Sequence, residues 1–140
     1  MSENISIEEQ LYKLLNNEDT NNDEKAKEII LQNPSLNINW QNHSNWTCLH
    51  RACYYHRYEI LLLLLTQYPN INPNLQDNDG STPFYLACIN NSVESVKLLL
   101  NDERVDINLK DNSGHTGLML AAYWGHIAII LDIDINPPII

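Results

Sequence analysis

Apolar residues in the first third of the chain recur at the spacing of amphipathic helices. The first stripe consists of Ile7, Leu11, Leu14 and Leu15. Their i, i+4, i+7 and i+8 spacing places them on one helical face. A second apolar group, 26–31, ends shortly before Pro34, which cannot continue a helix. A polar segment, 16–23, lies between the two groups, so the pattern predicts two helices joined by a loop.

Two later apolar runs have the same length and similar flanking residues. Residues 60–65 and 95–100 are rich in leucine, and a glutamate, Glu59 or Glu94, precedes each run. Two apolar runs of the same length, each directly preceded by glutamate, indicate the second helix of a repeated helix pair.

A hexapeptide pattern recurs three times at a nearly constant interval. Its copies are 47–52, 82–87 and 116–121, and each begins with threonine and ends with alanine. The threonines are 35 and 34 residues apart. A period of this length is typical of one supersecondary unit stacked on copies of itself.

Positions around the three threonines also align. Five residues before them stand Asn42, Asp77 and Asp111, and two residues before them stand Asn45, Gly80 and Gly114. Glycine is the natural choice where a tight turn needs a positive φ, and Asn45 is the irregular member of the set. Each threonine is predicted to cap a helix, and Pro83 suits the first helical position after Thr82. Gly117 occupies that position in the third copy, at a cost of about 1 kcal/mol in helix propensity.

On these motifs, the chain resembles the ankyrin-repeat family. The lead-in segments 37–39, 72–74 and 106–108 match the Asp-Val-Asn that precedes each turn in the family, and Gly125-His126 matches its helix break. The resemblance covers residues 36 to 131. It implies an all-α fold, an ankyrin-repeat solenoid of stacked helix-turn-helix units with β-turn or hairpin loops.

The resemblance divides the single domain, 1–140, into units. We expect an N-terminal capping helix pair in 1–35 and repeats in 36–69, 70–103 and 104–131, the last of them truncated. Residues 132–140 form an expected hydrophobic tail, because two prolines and several β-branched residues follow Leu131.

The tail would leave the last repeat without a polar cap. Three explanations remain open: the tail covers the last helix, the exposed edge pairs with another copy of the chain, or the chain is a fragment of a longer array. Self-association through this C-terminal edge is therefore one of the expected interactions.

The charge distribution bears on the choice of partner. The formal net charge is −10, and residues 1–28 hold eight acids and three lysines. Such a field repels nucleic acid and favours a protein partner with a basic surface, although the acids also fit a solvated cap that serves solubility. No apolar run is long enough to span a membrane, and the start is acidic, so we expect no membrane partner and a cytoplasmic location, or a nuclear one.

Catalysis and cofactors find no support in the motifs. The sequence has no phosphate-binding glycine loop and no nucleophile elbow. Four residues, Cys48, His50, Cys53 and His56, resemble a metal cluster, but on a helix their side chains diverge, so we expect no metal. His50 is the only copy of the family's histidine here, and a structural hydrogen-bond role is favoured for it. We predict no catalytic site and no cofactor.

Partner-binding residues are predicted at the turn tips and on the outward side of each first helix. The candidates are Trp46, Arg51, Tyr54, Tyr55, Asp79, Ser81, Ile89, Asn90, His115, Tyr123 and Trp124. Aromatic residues and arginine dominate interface energetics. For Tyr55 and Trp124, packing against the next helix pair is the alternative. We expect alanine at Trp46 and Tyr54 to weaken partner binding with little loss of stability.

Two functions remain open. The first is a non-catalytic adaptor or scaffold that recognises a protein through its turn tips and concave first-helix face. The second, which the resemblance implies, is a regulatory or targeting subunit of an enzyme complex such as a kinase, a phosphatase or a ubiquitin ligase.

Overall fold

The computed structural model describes residues 4–16 and 20–135, and within them all regular secondary structure is helical. The α-helices are α1 (Ile7–Leu14), α2 (Asp23–Gln32), α3 (Cys48–Tyr54), α4 (Tyr58–Gln67), α5 (Pro83–Ile89), α6 (Val93–Leu100), α7 (Gly117–Tyr123) and α8 (Ile127–Ile135). A short 3-10 helix, Thr20–Asn22, leads into α2.

The helices form two layers. Each unit pairs a first helix with a second helix: α1 with α2, α3 with α4, α5 with α6, and α7 with α8. The first helices stack in the order α1, α3, α5, α7, and the second helices stack in the order α2, α4, α6, α8. The predicted all-α solenoid is confirmed, and its shared apolar core lies between the two layers.

The recurring threonines start the first helices of the three repeats. The hydroxyl oxygens of Thr47, Thr82 and Thr116 each accept a hydrogen bond from the backbone N–H three residues later. Capping satisfies a donor that has no partner inside the helix. The hexapeptide pattern is therefore a helix-start signal, as predicted.

The turns before these helices are built alike. In each turn, Oδ1 of Asn42, Asp77 or Asp111 accepts the backbone N–H groups two and four residues later, at 2.8 or 2.9 Å. The position two residues before each threonine has a positive φ, for example 63° at Asn45 and 81° at Gly80. Only residues that tolerate the left-handed region fit there.

Gly117 is required by a close contact between repeats. A Cβ atom at this position would lie 2.9 Å from Tyr85 Cα and 3.2 Å from Cys88 Cβ. The glycine lets α7 approach α5, so its weak helix propensity accompanies a packing advantage.

The last helix extends beyond the predicted boundary. α8 reaches Ile135, whereas the sequence pattern placed the end of the truncated repeat at residue 131. Asp132–Ile135 contain no helix breaker, and β-branched residues lower helix propensity only slightly. The prolines that were expected to stop the helix lie at 137 and 138, and residues 136–140 of the expected tail lie outside the described residues.

The N-terminal helix pair is present as predicted, but its apolar stripe is only partly buried. Leu11 and Leu15 are fully buried, while Ile7 is 42% exposed and Leu31 is 58% exposed. The outer side of this pair has no neighbouring unit among the described residues, so apolar positions on that side stay in contact with solvent. No helix within residues 4–16 and 20–135 has both the length and the apolar character needed to cross a bilayer.

Candidate functional site

The predicted partner-binding residues lie on the first helices and on the turns that precede them. Trp46, Asp79, Ser81 and His115 belong to turns, and Arg51, Tyr54 and Ile89 belong to α3 or α5. Tyr55, Asn90 and Trp124 directly follow a first helix, and Tyr123 ends α7. The prediction therefore concerns one side of the solenoid, and the repeats differ in what they present there.

The first repeat presents three aromatic rings in contact. Trp46 and Tyr54 pack edge to face with ring centroids 5.3 Å apart, and Tyr54 packs against Tyr55 in the same way at 5.0 Å. All three side chains are half-buried. Such geometry holds the rings rigidly and leaves part of each ring exposed. We call Trp46, Tyr54 and Tyr55 the aromatic cluster.

Trp46 is anchored more firmly than the sequence suggests. Its indole Nε1–H donates to Asp77 Oδ2 of the next repeat at 2.7 Å, and its ring stacks on His50 at 5.9 Å. A hydrogen bond to a carboxylate contributes about 1.5–3 kcal/mol to stability. We therefore expect alanine at Trp46 to reduce stability, which differs from the small loss predicted from the sequence, and Tyr54 is the cleaner position for a binding test.

Arg51 is held beside the aromatic cluster by the N-terminal helix pair. Its guanidinium carbon lies 3.8 Å from the centroid of the Tyr12 ring, and its Nη1–H donates to the Tyr12 carbonyl oxygen at 3.1 Å. The Tyr12 hydroxyl oxygen accepts from Asn42 Nδ2 at 2.7 Å. Arg51 remains half-buried on the surface, with its cation already stacked on an aromatic face.

Ser81 does not belong to the accessible surface. The sequence pattern placed it at a turn tip, but it is only 5% exposed, and its carbonyl oxygen accepts His50 Nε2–H at 3.0 Å. Its backbone N–H also donates to Asp77 Oδ1 at 2.8 Å, so the main chain of Ser81 is engaged both by its own turn and by His50 of the preceding repeat. Asp79 and His115, on neighbouring turns, are exposed as predicted.

The second repeat is hydrogen-bonded to the aromatic cluster. Asn90 Nδ2 donates to the Tyr54 carbonyl oxygen, and both Ile89 and Asn90 are half-buried. The Asn90 hydrogen bond ties the C-terminal end of α3 to the second repeat.

The third repeat carries a second aromatic pair. Tyr123 and Trp124 pack edge to face at 5.1 Å and are 76% and 63% exposed. Within the part of the chain that the structure describes, Trp124 does not pack against a further helix pair.

His50 lies in the core as a structural group. It is fully buried, its Nδ1 accepts the Thr47 N–H at 3.1 Å, and its Nε2–H donates to Ser81 across the repeat boundary. Burial lowers the pKa of the imidazole below its ordinary value. The ring is therefore neutral near pH 7 and joins two repeats.

The cysteines nearby are equally enclosed. Burial raises the pKa of Cys48 to about 12 and also raises that of Cys53. Both thiols are protonated near neutral pH, which suits packing and does not suit metal binding or nucleophilic attack. Among residues 4–16 and 20–135, no three histidine, cysteine or acidic side chains come together as a metal-binding group.

Two contributors to this surface were not singled out as site residues from the sequence. Tyr12 belongs to the capping pair, and its distance in sequence hides its contact with Arg51. Asp77 was aligned only as a turn residue, yet its second oxygen holds Trp46. The recurring acid or amide at this position was the available signal, since a turn needs only one of the two carboxylate oxygens.

Comparison with known proteins gives a consistent picture. A family model described as ankyrin repeats (3 copies) matches residues 68–137, and one described as ankyrin repeats (many copies) matches residues 30–83. The human protein named ankyrin repeat domain-containing protein 29 is 48% identical over 46 residues, which cover 29% of this chain. The aligned part spans only 15% of that human protein.

Proposed function

Because this chain belongs to the ankyrin-repeat family, we propose that it is a non-catalytic module that binds a protein partner through the first-helix face and its turns. Ankyrin repeats are interaction modules, and the proposal adds where this chain makes contact. The observation that carries it is the aromatic cluster of the first repeat, three half-buried rings that contact one another and are joined to the second repeat by hydrogen bonds.

The aromatic cluster has the features of an interface hot spot. Its rings are restrained by contact with one another and, for Trp46, by a hydrogen bond, which lowers the side-chain entropy that binding would cost. Partly exposed tyrosine and tryptophan with fixed geometry contribute strongly to association. An adaptor and a subunit of an enzyme complex would use this surface in the same way.

The net charge supports a basic partner. With −10 on 140 residues, the chain attracts cationic protein surfaces at long range and accelerates their association. We further propose a cytoplasmic or nuclear location, which the three buried cysteines, all unpaired, support because free thiols suit a reducing compartment.

A matched pair of tyrosine variants tests the binding surface. Tyr54→Ala removes the centre of the aromatic cluster, while Tyr58→Ala removes a tyrosine that is 44% exposed on the second-helix layer. Proteins captured from the native lysate by the wild type are quantified by mass spectrometry. Tyr54→Ala should reduce the capture of the specific partner at least about tenfold, as for an interface hot spot.

The control separates binding from folding. Tyr58→Ala should capture the partner as the wild type does, and both variants should keep the helical circular dichroism signal. Equal losses in the two variants, or full capture by Tyr54→Ala, would contradict the proposed surface.

The last repeat supports a second contact, self-association. Four positions that are buried in earlier repeats are exposed or only half-buried here, and we call them the terminal face: Leu118, Met119, Ala122 and Ile130. Ala122, for example, is exposed, whereas the aligned Cys53 and Cys88 are fully buried beneath the next unit. The terminal face thus continues the interface between repeats, and we propose that a second copy of this chain covers it.

A further inference from the structure

A pocket opens beside Trp46 at the boundary between the first two repeats. Its volume is about 460 Å³, and its walls include Tyr12, Ser44, Trp46, Asp77, Asn78 and Asp79. These residues come from α1 and from two successive turns, so the pocket exists only because the units stack. It combines an aromatic wall with two carboxylates.

Among the described residues, the carboxylates of the pocket have no cationic partner. Neither Asp77 nor Asp79 forms an ion pair with any lysine, arginine or histidine within residues 4–16 and 20–135, and no basic residue lines the pocket. The exposed Asp79 carboxylate also accepts no hydrogen bond from the described residues. Asp77 Oδ2 accepts the Trp46 N–H, and a carboxylate oxygen has a second lone pair for a further donor.

The negative field of this edge is felt by a neighbouring phenol. Burial, the hydrogen bond to Asp111 and the charges of Asp111, Asp77 and Asp79 together raise the pKa of Tyr85. The same field favours a cation that enters the pocket from solution.

We propose that this pocket binds the guanidinium group of an arginine side chain of the protein partner. The proposal rests on the proposed function and names the chemistry that the first repeat recognises. A guanidinium group is planar, so it can stack on the Trp46 ring while its N–H groups reach the Asp77 and Asp79 carboxylates. A lysine ammonium group lacks the flat face and the forked donors that use both walls.

A short peptide isolates the pocket from the rest of the interface. The probe is acetyl-Gly-Gly-Arg-Gly-Gly-amide, and the comparison peptides replace arginine by citrulline, which has the same shape without the charge, or by lysine. Binding is followed through the indole N–H signal of Trp46 in two-dimensional ¹H–¹⁵N spectra. The signal is assigned by its disappearance in Trp46→Phe, and the other two indole signals report the fold.

The arginine peptide should shift the Trp46 signal saturably, with a dissociation constant on the order of 1–10 mM, as expected for one side chain. Citrulline and lysine peptides should bind at least about fivefold more weakly. Asp79→Asn should weaken arginine binding about tenfold and leave the other indole signals in place. Glu94→Gln, which removes one equal charge at the exposed start of α6, should leave binding within about twofold.

The outcomes separate this proposal from the proposed function. Equal binding of arginine and citrulline peptides, or an unchanged affinity of Asp79→Asn, would overturn the pocket's role. Equal binding of the lysine peptide would overturn the selectivity for guanidinium. None of these results bears on the capture of the partner through Tyr54, which is measured separately.

Discussion

Trp46 shows how one residue can give a repeat its own chemistry. The aligned positions in the next repeats are Ser81, which is buried, and His115, which is exposed. Only the indole both reaches the carboxylate of the following unit and offers an aromatic wall to the surface. The departure from the repeat pattern at this position therefore creates the part of the surface that we propose as functional.

His50 couples stability to pH at the same boundary. Because its pKa is lowered in the folded state, the unfolded chain takes up a proton first as the pH falls below about 6.5. Its contribution is therefore fully present above that pH and is lost as the pH falls through the lower, folded pKa. Asp77 is the charged group that partly opposes the shift, and hydrogen bonds to backbone carbonyl oxygens also oppose it.

The expected result is a steeper loss of melting temperature in the wild type than in His50→Gln between about pH 7.5 and about pH 5.5. His43→Gln, which replaces an exposed histidine on the first turn, should keep the wild-type pH dependence. Parallel curves for the wild type and His50→Gln, measured by circular dichroism, would show that the buried imidazole does not contribute.

At the scale of elements, one kind of contact between units is made from different sequence positions. Trp46 in a turn donates to Asp77, and Tyr85 in α5 donates to the aligned Asp111. In the capping pair, Tyr12 in α1 accepts from the aligned Asn42. The acid or amide stays at the same repeat position, whereas its partner lies at a different position of the preceding unit in each case.

Gly117 provides a test of how closely these elements must approach. Gly117→Ala improves helix propensity by about 1 kcal/mol, but the added methyl group would lie 2.9 Å from the Tyr85 backbone. Overpacking should dominate, so we expect a net loss of about 1–3 kcal/mol in the free energy of unfolding, measured by urea denaturation.

Ala122→Gly, the reverse substitution in the same helix, is the control. Ala122 is exposed, so its change should cost only about 1 kcal/mol, the difference in propensity. A more stable Gly117→Ala would mean that the first helices can separate without cost.

The sequence predicted the helices and turns because their signals are local. Threonine caps, turn residues with positive φ and apolar spacing act within a few residues, and all three appear in the structure. The predicted end of α8, at residue 131, was wrong because the helix-weakening effect of β-branched residues was overestimated. The predicted exposure of Ser81 was wrong, and the contact of Tyr12 with Arg51 was missed. Both depend on contacts between units, which the repeat pattern does not encode.

At the scale of the whole molecule, the two ends of the stack differ. Ion pairs join the N-terminal pair to the first repeat, such as Lys27 with Glu59 at 2.8 Å and Asp23 with Arg57 at 3.8 Å. The terminal face at the other end carries apolar side chains in place of charges. Asn39 and Asn74 each bridge to the next unit through their side chains, whereas the aligned Asn108 has no such bridge among the described residues.

Self-association through the terminal face can be blocked by one substitution. Ala122→Arg places a long charged side chain on an exposed position, where it leaves the monomer intact but prevents another copy from stacking. In sedimentation equilibrium over about 1–100 μM, the wild type should shift from monomer to dimer, and the variant should stay monomeric. Leu62→Arg, on the half-exposed side of α4, should dimerise like the wild type.

Salt distinguishes this contact from the recognition of a basic partner. Each copy carries a net charge of −10, so two copies repel each other, and added sodium chloride should strengthen the dimer by screening that repulsion. The same salt should weaken arginine binding beside Trp46, where opposite charges attract. A wild type that remains monomeric at every concentration and salt level would contradict self-association and leave the binding surface of the first repeat untouched.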